Sequence, residues 1–176
     1  MLFSDPSVLY LRVKREQMPK QNDKNAGPAI DMSLIDPLVG YNLRRAAARQ
    51  RERFRNVFSK FDILPVQLTT LGVILQSGGI GQSALGKALD MERANVVKLL
   101  DELQSRELIE RRPSAGDRRA YEVHLTPKGT QFTRKLLALH DKLEADLAAA
   151  LGPEDLKRLV DLLRKLRSVN PDPNPV

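Results

Sequence analysis

The sequence predicts a mainly α-helical fold with a small β-wing, in which a winged helix-turn-helix lies between long N- and C-terminal helices. Two short helices are expected to meet at a tight turn between about Gln82 and Ser105, and a basic two-stranded ribbon should follow them as far as Leu125. Longer amphipathic stretches flank this segment on both sides. A winged helix-turn-helix is suited to placing one helix in a DNA major groove and a loop at the adjacent minor groove.

The N-terminal part is predicted to be an extension followed by a long helix. Residues 1–33 form the extension, in which residues 18–28 have the composition of a linker. Asp36 and Pro37 predict a helix start, with Asp at the N-cap and Pro at the first helical position. This helix should run to about Phe61.

The next segment, residues 65–126, is the expected DNA-binding lobe. Its predicted elements are a helix that begins at Pro65 and is ended by Gly78-Gly79, helices over about 82–89 and 93–105, and strands over about 108–112 and 120–125. In the second short helix the apolar residues recur at i, i+3, i+4 and i+7 and should pack inward: Val96, Leu99, Leu100 and Leu103. The N-terminal half of that helix is then left exposed.

Two further helices complete the chain. Thr126-Pro127 predicts the start of a long helix, Gly152-Pro153 predicts its end, and a last helix should run to about Ser168, before a tail over 171–176. Residues 34–64 and 127–170 are too long and too apolar to serve only a winged lobe. Their simplest use is dimerisation, and a two-fold homodimer would bind a pseudo-palindrome with half-sites about one DNA turn apart.

The composition favours a polyanionic partner. The formal net charge is +7, from 29 Lys and Arg against 22 Asp and Glu, and the isoelectric point is about 9.9. The absence of cysteine excludes disulfides and thiol chemistry. No apolar run reaches membrane-spanning length and the N-terminus does not read as a secretory signal. We therefore expect a cytoplasmic protein with no membrane partner.

Three short motifs carry a resemblance to a known family. They are Leu108-Ile-Glu-Arg-Arg112, Asp117-Arg-Arg-Ala120 and Leu125-Thr-Pro-Lys-Gly129. Over roughly residues 35–168 the chain resembles the multiple-antibiotic-resistance regulator (MarR) family of bacterial transcription factors. The resemblance implies a dimer whose terminal helices interdigitate. One departure is Glu107, where the family usually has a glycine that ends the recognition helix in a left-handed turn.

The exposed half of the predicted recognition helix offers groups that can read bases. Asn95 can pair with adenine, Arg93 with guanine, and Ala94 can touch a thymine methyl group. Lys98 and Arg112 are better suited to phosphates, which position the protein without specifying sequence. Simple exposure to solvent is the alternative for each of them.

Two further groups of residues are expected at DNA. Gln82 and Ser83, at a helix N-terminus, can add phosphate contacts. For the wing, the resemblance implies that Asp117 orients Arg119 while Arg118 reaches the minor groove, whose negative potential attracts arginine. A solvated polar hairpin is the alternative reading of the wing.

The first long helix is rich in arginine and phenylalanine. Residues 44–55 contain six arginines against one acid, Glu52. Such a helix could hold an aromatic anion, with rings packed on rings and the carboxylate or phosphate on arginine. The segment Gly40–Ala46 also resembles relatives that sense aromatic acids or their coenzyme A thioesters. The candidate ligand-binding residues are Tyr41, Arg44, Arg51, Phe54 and Phe58; an ordinary amphipathic helix is the alternative.

No other class of function finds support in the sequence. The two histidines, His124 and His140, have no partners at metal-ligand spacing, and no phosphate loop, nucleophile elbow or catalytic carboxylate pair is present. We expect no metal, no cofactor and no enzymatic activity. The sequence thus predicts a homodimeric DNA-binding regulator, a repressor released by a small ligand. A sequence-tolerant architectural DNA-binding protein without a ligand remains the alternative.

Overall fold

The computed structural model describes residues 30–114 and 121–169. The helices are α1 (Val39–Phe58), α2 (Pro65–Ser77), α3 (Gln82–Leu89), α4 (Arg93–Ser105), α5 (Pro127–Leu151) and α6 (Pro153–Arg167), with a 3-10 turn at Ser59–Phe61. The strands are β1 (Ile80–Gly81), β2 (Ile109–Pro113) and β3 (Tyr121–Leu125). The chain divides into two compact units, with the boundary between Glu52 and Arg53. The predicted fold class, mainly helical with a small wing, is confirmed.

Two elements differ from the sequence prediction. The first helix begins at Val39 rather than Pro37, because Asp36 belongs to a preceding turn in which its backbone N–H donates to the Met32 carbonyl at 2.9 Å. The ribbon also gains a third strand, since β1 pairs antiparallel with β3 in the register Ile80↔Val123. A two-residue strand is too short to show the alternation by which strands are recognised in a sequence.

The sheet lies between α2 and α5 in the chain and has the order β1-β3-β2. Its two longer strands pair from Ile109↔Leu125 to Pro113↔Tyr121. Val123 and Ile109 point into the core, whereas Glu122 and His124 are half-buried. This alternation is that of a ribbon with one face on the core and the other toward solvent.

The core of the second unit is built mainly from aliphatic side chains of the helices, the sheet and the turns between them. The buried hydrophobic residues are Phe58, Ile63, Leu68, Leu71, Ile74, Leu85, Val96, Leu99, Leu100, Leu103, Leu108, Ile109, Val123 and Leu136. Four of them come from α4 and are the four predicted to face inward. Each large aliphatic side chain removed from water contributes about 1.5–3 kcal/mol, so α4 is fixed mainly by this stripe.

Helix α4 ends in a left-handed turn without the help of glycine. Glu107 has φ +58°, its N–H donates to the Gln104 carbonyl at 2.8 Å, and the N–H of Leu108 donates to the Leu103 carbonyl at 3.1 Å. This is the hydrogen-bond pattern that usually places glycine at the turn. A side chain in this region costs about 1–2 kcal/mol, so the departure at Glu107 stores backbone strain.

The start of α5 packs tightly against the start of β2. A Cβ on Gly129 would lie 1.8 Å from the carbonyl oxygen of Leu108, so only glycine allows this approach. The Thr126 hydroxyl accepts the Gly129 N–H at 2.9 Å and thereby caps the helix. The Leu-Thr-Pro-Lys-Gly motif thus places α5 directly against the end of the α4 turn.

No single helix within the described ranges is long and apolar enough to cross a membrane. One helix pair, Val39–Phe61 with Pro65–Ser77, satisfies the length and composition criteria jointly but is bent by 73°.

Thr133 on α5 is fully buried, and its hydroxyl has no hydrogen-bond partner among the described residues. Thr133→Val keeps the shape of the side chain and removes the unpaired hydroxyl. We therefore expect the free energy of unfolding to rise by about 1 kcal/mol and Tm to rise by about 2–4 °C, measured by thermal denaturation at fixed protein concentration.

Thr70→Val is the matched control, because Thr70 is equally buried while its hydroxyl donates to the Val66 carbonyl at 2.7 Å. That variant should melt at or below the temperature of the wild type. A fall in Tm for Thr133→Val like that of the control would contradict the prediction.

Candidate nucleic-acid interface

The exposed half of α4 presents the four residues expected to face DNA. Arg93, Ala94, Asn95 and Lys98 are all exposed, whereas Val96 between them is buried. Within the described ranges, the side chains of Arg93, Asn95 and Lys98 form no hydrogen bond or ion pair with another residue. Their donors are therefore available to an external partner.

Helix α3 and the turn before α4 form a shallow groove beside this surface. Asp90 adopts a left-handed conformation at φ +52°, and the N–H of Met91 donates to the Gly86 carbonyl at 2.9 Å. The groove has a volume of about 460 Å³, and its lining includes Gln82, Ser83, Lys87 and Arg93. The structure thus brings the predicted phosphate-binding residues of α3 close to the start of the recognition helix.

The wing is described only in part. Asp117, Arg118 and Arg119 lie outside the described residues. Arg112 is half-exposed, and its guanidinium donates to Glu110 through Nη2 at 2.5 Å and Nε at 3.1 Å. The sequence predicts that Arg112 contacts a DNA phosphate. In the structure, such a phosphate would have to compete with the Glu110 carboxylate.

Sequence reasoning missed the polar contacts that hold α4 in place. Arg111 of β2 donates to Asp101 and to Gln104 of α4, both at 2.6 Å. Gln67 of α2 donates to Glu102 at 3.2 Å. These partners are far apart in sequence, so no helical spacing rule relates them. The sequence signal that could have indicated such contacts is the run of charged residues on the C-terminal half of α4 and directly after it.

Glu107 joins the end of α4 to the start of α5. The Lys128 ammonium donates to its carboxylate at 2.8 Å, and this hydrogen bond, with the attraction between the two charges, lowers the pKa of Glu107. The Thr126 hydroxyl donates to the Glu107 carbonyl at 2.7 Å. Both contacts are compatible with the strained backbone at this position and offset part of its cost.

The N-terminal part of α1 holds an aromatic ring beside two guanidinium groups. The Cζ atoms of Arg44 and Arg45 lie 5.7 and 5.8 Å from the centre of the Tyr41 ring. Glu52 is occupied by Arg49 at 3.1 Å. Neither Arg44 nor Arg51 has an acidic partner in the part of the chain that the structure describes.

Phe54 and Phe58 of α1 were expected to form a ligand surface, but in the structure their rings pack against each other. Phe58 is only 1% exposed, and the Phe54 ring is stacked on it at a centroid distance of 4.3 Å. Phe61 continues the row at 6.3 Å from Phe58. The structure therefore places Phe58 in the core, where a ligand could reach it only if the surrounding side chains moved.

No group of three His, Asp or Glu side chains that could hold a metal ion occurs in residues 30–114 and 121–169. His124 contacts Glu122 at 3.3 Å, and its ring lies against the backbone of Gly79 so closely that a Cβ there would be 2.2 Å from it. The histidine thus lies between Glu122 and Gly79 in the structure.

Comparison with known proteins agrees with this geometry. The MarR family model matches residues 61–120. The chain is 33% identical over 129 residues to a putative transcriptional regulatory protein for the hcr operon of Thauera aromatica, covering 73% of this chain and 78% of that protein.

Two solved structures that contain DNA are similar to this chain. The transcriptional repressor CouR bound to a 23-mer DNA duplex is 28% identical with a TM-score of 0.74, over 80% of this chain and 99% of CouR. The MepR–DNA complex of S. aureus is 27% identical with a TM-score of 0.67, over 74% of this chain and 96% of MepR. With the confirmed winged helix-turn-helix and the exposed face of α4, these relationships show that the chain belongs to the MarR family of DNA-binding transcriptional regulators.

Proposed function

We propose that the protein is a homodimeric repressor that binds a pseudo-palindromic operator and is released by a small aromatic acid or its coenzyme A thioester. The observation that carries the DNA part is the exposed N-terminal half of α4. Its polar side chains have no partners within residues 30–114 and 121–169, and the buried stripe on the opposite face fixes their direction. The repressor assignment draws support from CouR, which is itself described as a repressor bound to DNA.

Each residue of this surface has a role that suits its chemistry. The Asn95 amide has one donor and one acceptor that match the major-groove edge of adenine. The Arg93 guanidinium has two donors that match guanine, and Ala94 can contact a thymine methyl group. Lys98, Gln82 and Ser83 bind phosphates and set the register. For the wing we keep the roles that the family resemblance implies: Arg118 in the minor groove and Asp117 orienting Arg119. Arg112 adds a phosphate contact if DNA displaces Glu110.

Asn95→Ala tests base reading. The variant should lose about 1–3 kcal/mol per half-site on a duplex selected by the wild type and should relax the preference at one base position. Lys98→Ala should instead weaken binding to selected and random duplexes alike and lower the salt slope by about one unit per subunit. Titration of both duplexes at several salt concentrations measures both effects.

Asn56→Ala is the control, since Asn56 is an exposed asparagine on a different helix, α1. It should bind both duplexes as the wild type does. A uniform loss of affinity for selected and random DNA in Asn95→Ala would mean that Asn95 contacts only the backbone.

The homodimer is supported by the apolar face of α6. In the single chain, four residues on one side of this helix remain between 38% and 43% exposed: Leu159, Val160, Leu163 and Leu166. Monomeric proteins rarely leave a continuous apolar face of this kind in water. A second copy of the chain would cover it, and two-fold symmetry would present two α4 helices to successive major grooves.

Leu163→Glu should disrupt this dimer, because it places a charge in the apolar contact. We expect sedimentation at micromolar concentration to show a dimer for the wild type and a larger monomer fraction for the variant. Arg158→Glu, on the polar side of α6, is the control and should remain dimeric. A wild type that sediments as a stable folded monomer would contradict the proposal.

The effector proposal rests on the basic surface of α1. Arg44 and Arg45 approach the Tyr41 ring and have no acidic partner among the residues that the structure describes. This combination of a ring with available guanidiniums suits an aromatic anion. We retain Arg51, Phe54 and Phe58 as candidate contacts, with Phe58 reachable only after a rearrangement of its packing. An effector that binds the DNA-free arrangement more tightly would shift the population away from DNA, and a coupling of about 1–3 kcal/mol gives roughly 5- to 150-fold release.

Arg44→Ala should weaken the response to such effectors and leave DNA binding without effector nearly unchanged. Calorimetry with benzoate-type acids and their coenzyme A thioesters, followed by DNA titration with and without each compound, measures both effects. Arg49→Ala is the control, because Arg49 is already paired with Glu52 at 3.1 Å. If the wild type binds none of these compounds, the effector proposal is wrong and α1 is an ordinary amphipathic helix.

A further inference from the structure

Arg106, the residue that directly follows α4, binds the turn at the end of α1. Its Nη1 donates to the Asp62 carbonyl at 2.6 Å and its Nη2 donates to the Phe61 carbonyl at 3.1 Å. The Cζ atom also lies 5.8 Å from the centre of the Phe132 ring of α5. One half-buried side chain thus connects the end of the recognition helix to the turn after α1 and to α5.

The two carbonyls lie at the C-terminal end of the 3-10 turn that follows α1. Phe61 is the last residue of that turn, and Asp62 is its C-cap in the left-handed region at φ +47°. The carbonyl end of a helix carries partial negative charge and favours a cation. A planar guanidinium can satisfy both oxygens at once, whereas a lysine ammonium on a flexible stem offers no fixed fork.

The next residue, Glu107, binds the start of α5. Glu107 accepts from Lys128 through its carboxylate and from Thr126 through its carbonyl, which ties the same point of the chain to the start of α5. Two successive residues after α4 therefore reach the end of α1 and the beginning of α5. Arg111, by contrast, connects α4 only to the neighbouring strand of the lobe.

We propose that Arg106 and Glu107 form a junction that fixes the direction of α4 relative to the turn after α1 (Ser59–Asp62) and to α5, and that this junction determines which half-site spacing the dimer accepts. The inference rests on the proposed function, since it requires a dimer that reads two half-sites. Arg106 is a positioning residue in this account and touches no DNA.

Spacing is the quantity that such a junction would control. One added base pair rotates one half-site by about 34° and moves it by about 3.4 Å, because a turn of DNA contains about 10–10.5 base pairs. Two recognition helices held in a rigid frame cannot follow this change. If the frame is loosened at the junction, the helices can adapt and the penalty for wrong spacing falls.

The experiment uses the full chain and a duplex selected from a random library by the wild type. Dissociation constants are measured at fixed salt for this duplex, for copies with one base pair inserted or removed between the half-sites, and for a random duplex. The wild type should lose about tenfold or more on the altered spacings, a penalty comparable to that of a mismatched base pair. Arg106→Lys should lose at most about threefold and keep the wild-type salt slope, because no phosphate contact is removed.

Arg158→Lys, an exposed arginine on α6, is the matched control and should discriminate spacing as the wild type does. Glu107→Gln loses the carboxylate that pairs with Lys128 but retains the turn, and should relax the spacing preference in the same direction by a smaller factor. Thermal denaturation establishes that each variant is folded, and Glu107→Gln carries the test if Arg106→Lys does not fold.

The outcomes separate the inference from the function on which it rests. Equal spacing penalties in the wild type, Arg106→Lys and Glu107→Gln would overturn the junction and leave the proposed function intact. A loss of affinity in Arg106→Lys that is uniform over all duplexes, with a lower salt slope, would also overturn it by placing Arg106 at a phosphate. If the wild type selects no preferred duplex, the proposed function fails and the junction fails with it.

Discussion

The burial of four aliphatic side chains on one face of α4 is the constraint on which the rest of the structure depends. Val96, Leu99, Leu100 and Leu103 are each at most 5% exposed. With about 1.5–3 kcal/mol for each, this stripe outweighs every exposed ion pair around the helix, since such pairs contribute about 0–1 kcal/mol. Rotating α4 to hide Asn95 would expose the stripe, so the polar face has to remain in solvent.

The polar contacts around α4 join its C-terminal half to neighbouring elements. Arg111 and Arg106 hold its C-terminal half to the wing and to the end of α1, while Arg93 and Lys98 at the other half have no partner among the described residues. Positive charge is therefore used in two ways around one helix. At the C-terminal half it satisfies carbonyls and carboxylates of the protein, and at the N-terminal half it is available to an anion.

The sequence predicted most of the fold because short stretches of it contain the signals that define the main elements. Proline and glycine mark the ends of α2, α5 and α6, and the 3.6-residue period identified the inward face of α4. The residues expected at the DNA surface on α3 and α4 are exposed or half-exposed as this pattern required. The start of α1 was placed too early because Asp36-Pro37 has the chemistry of a helix start but lies in a turn.

What the sequence could not give are the contacts between distant residues. The pairing of β1 with β3, the grip of Arg106 on the Phe61 and Asp62 carbonyls, and the burial of Phe58 beneath Phe54 all depend on how the elements pack. Phe58 shares a helical stripe with Phe54 whether it lines a ligand site or a core, so periodicity alone could not separate the two. The left-handed conformation of Glu107 was equally hidden from periodicity. A glutamate disfavours this conformation, and the contacts of Glu107 with Thr126 and Lys128 offset part of its cost.

The central claim is that this fold presents α4 to read a particular DNA sequence. The ratio of the dissociation constant for a random duplex to that for a duplex selected by the protein, both measured at one physiological salt concentration, tests it most directly. Sequence-specific regulators prefer their sites by about 10³-fold or more, and we predict a ratio of at least that order. A ratio near one, with strong binding to both duplexes, would contradict the account and identify an architectural DNA-binding protein instead.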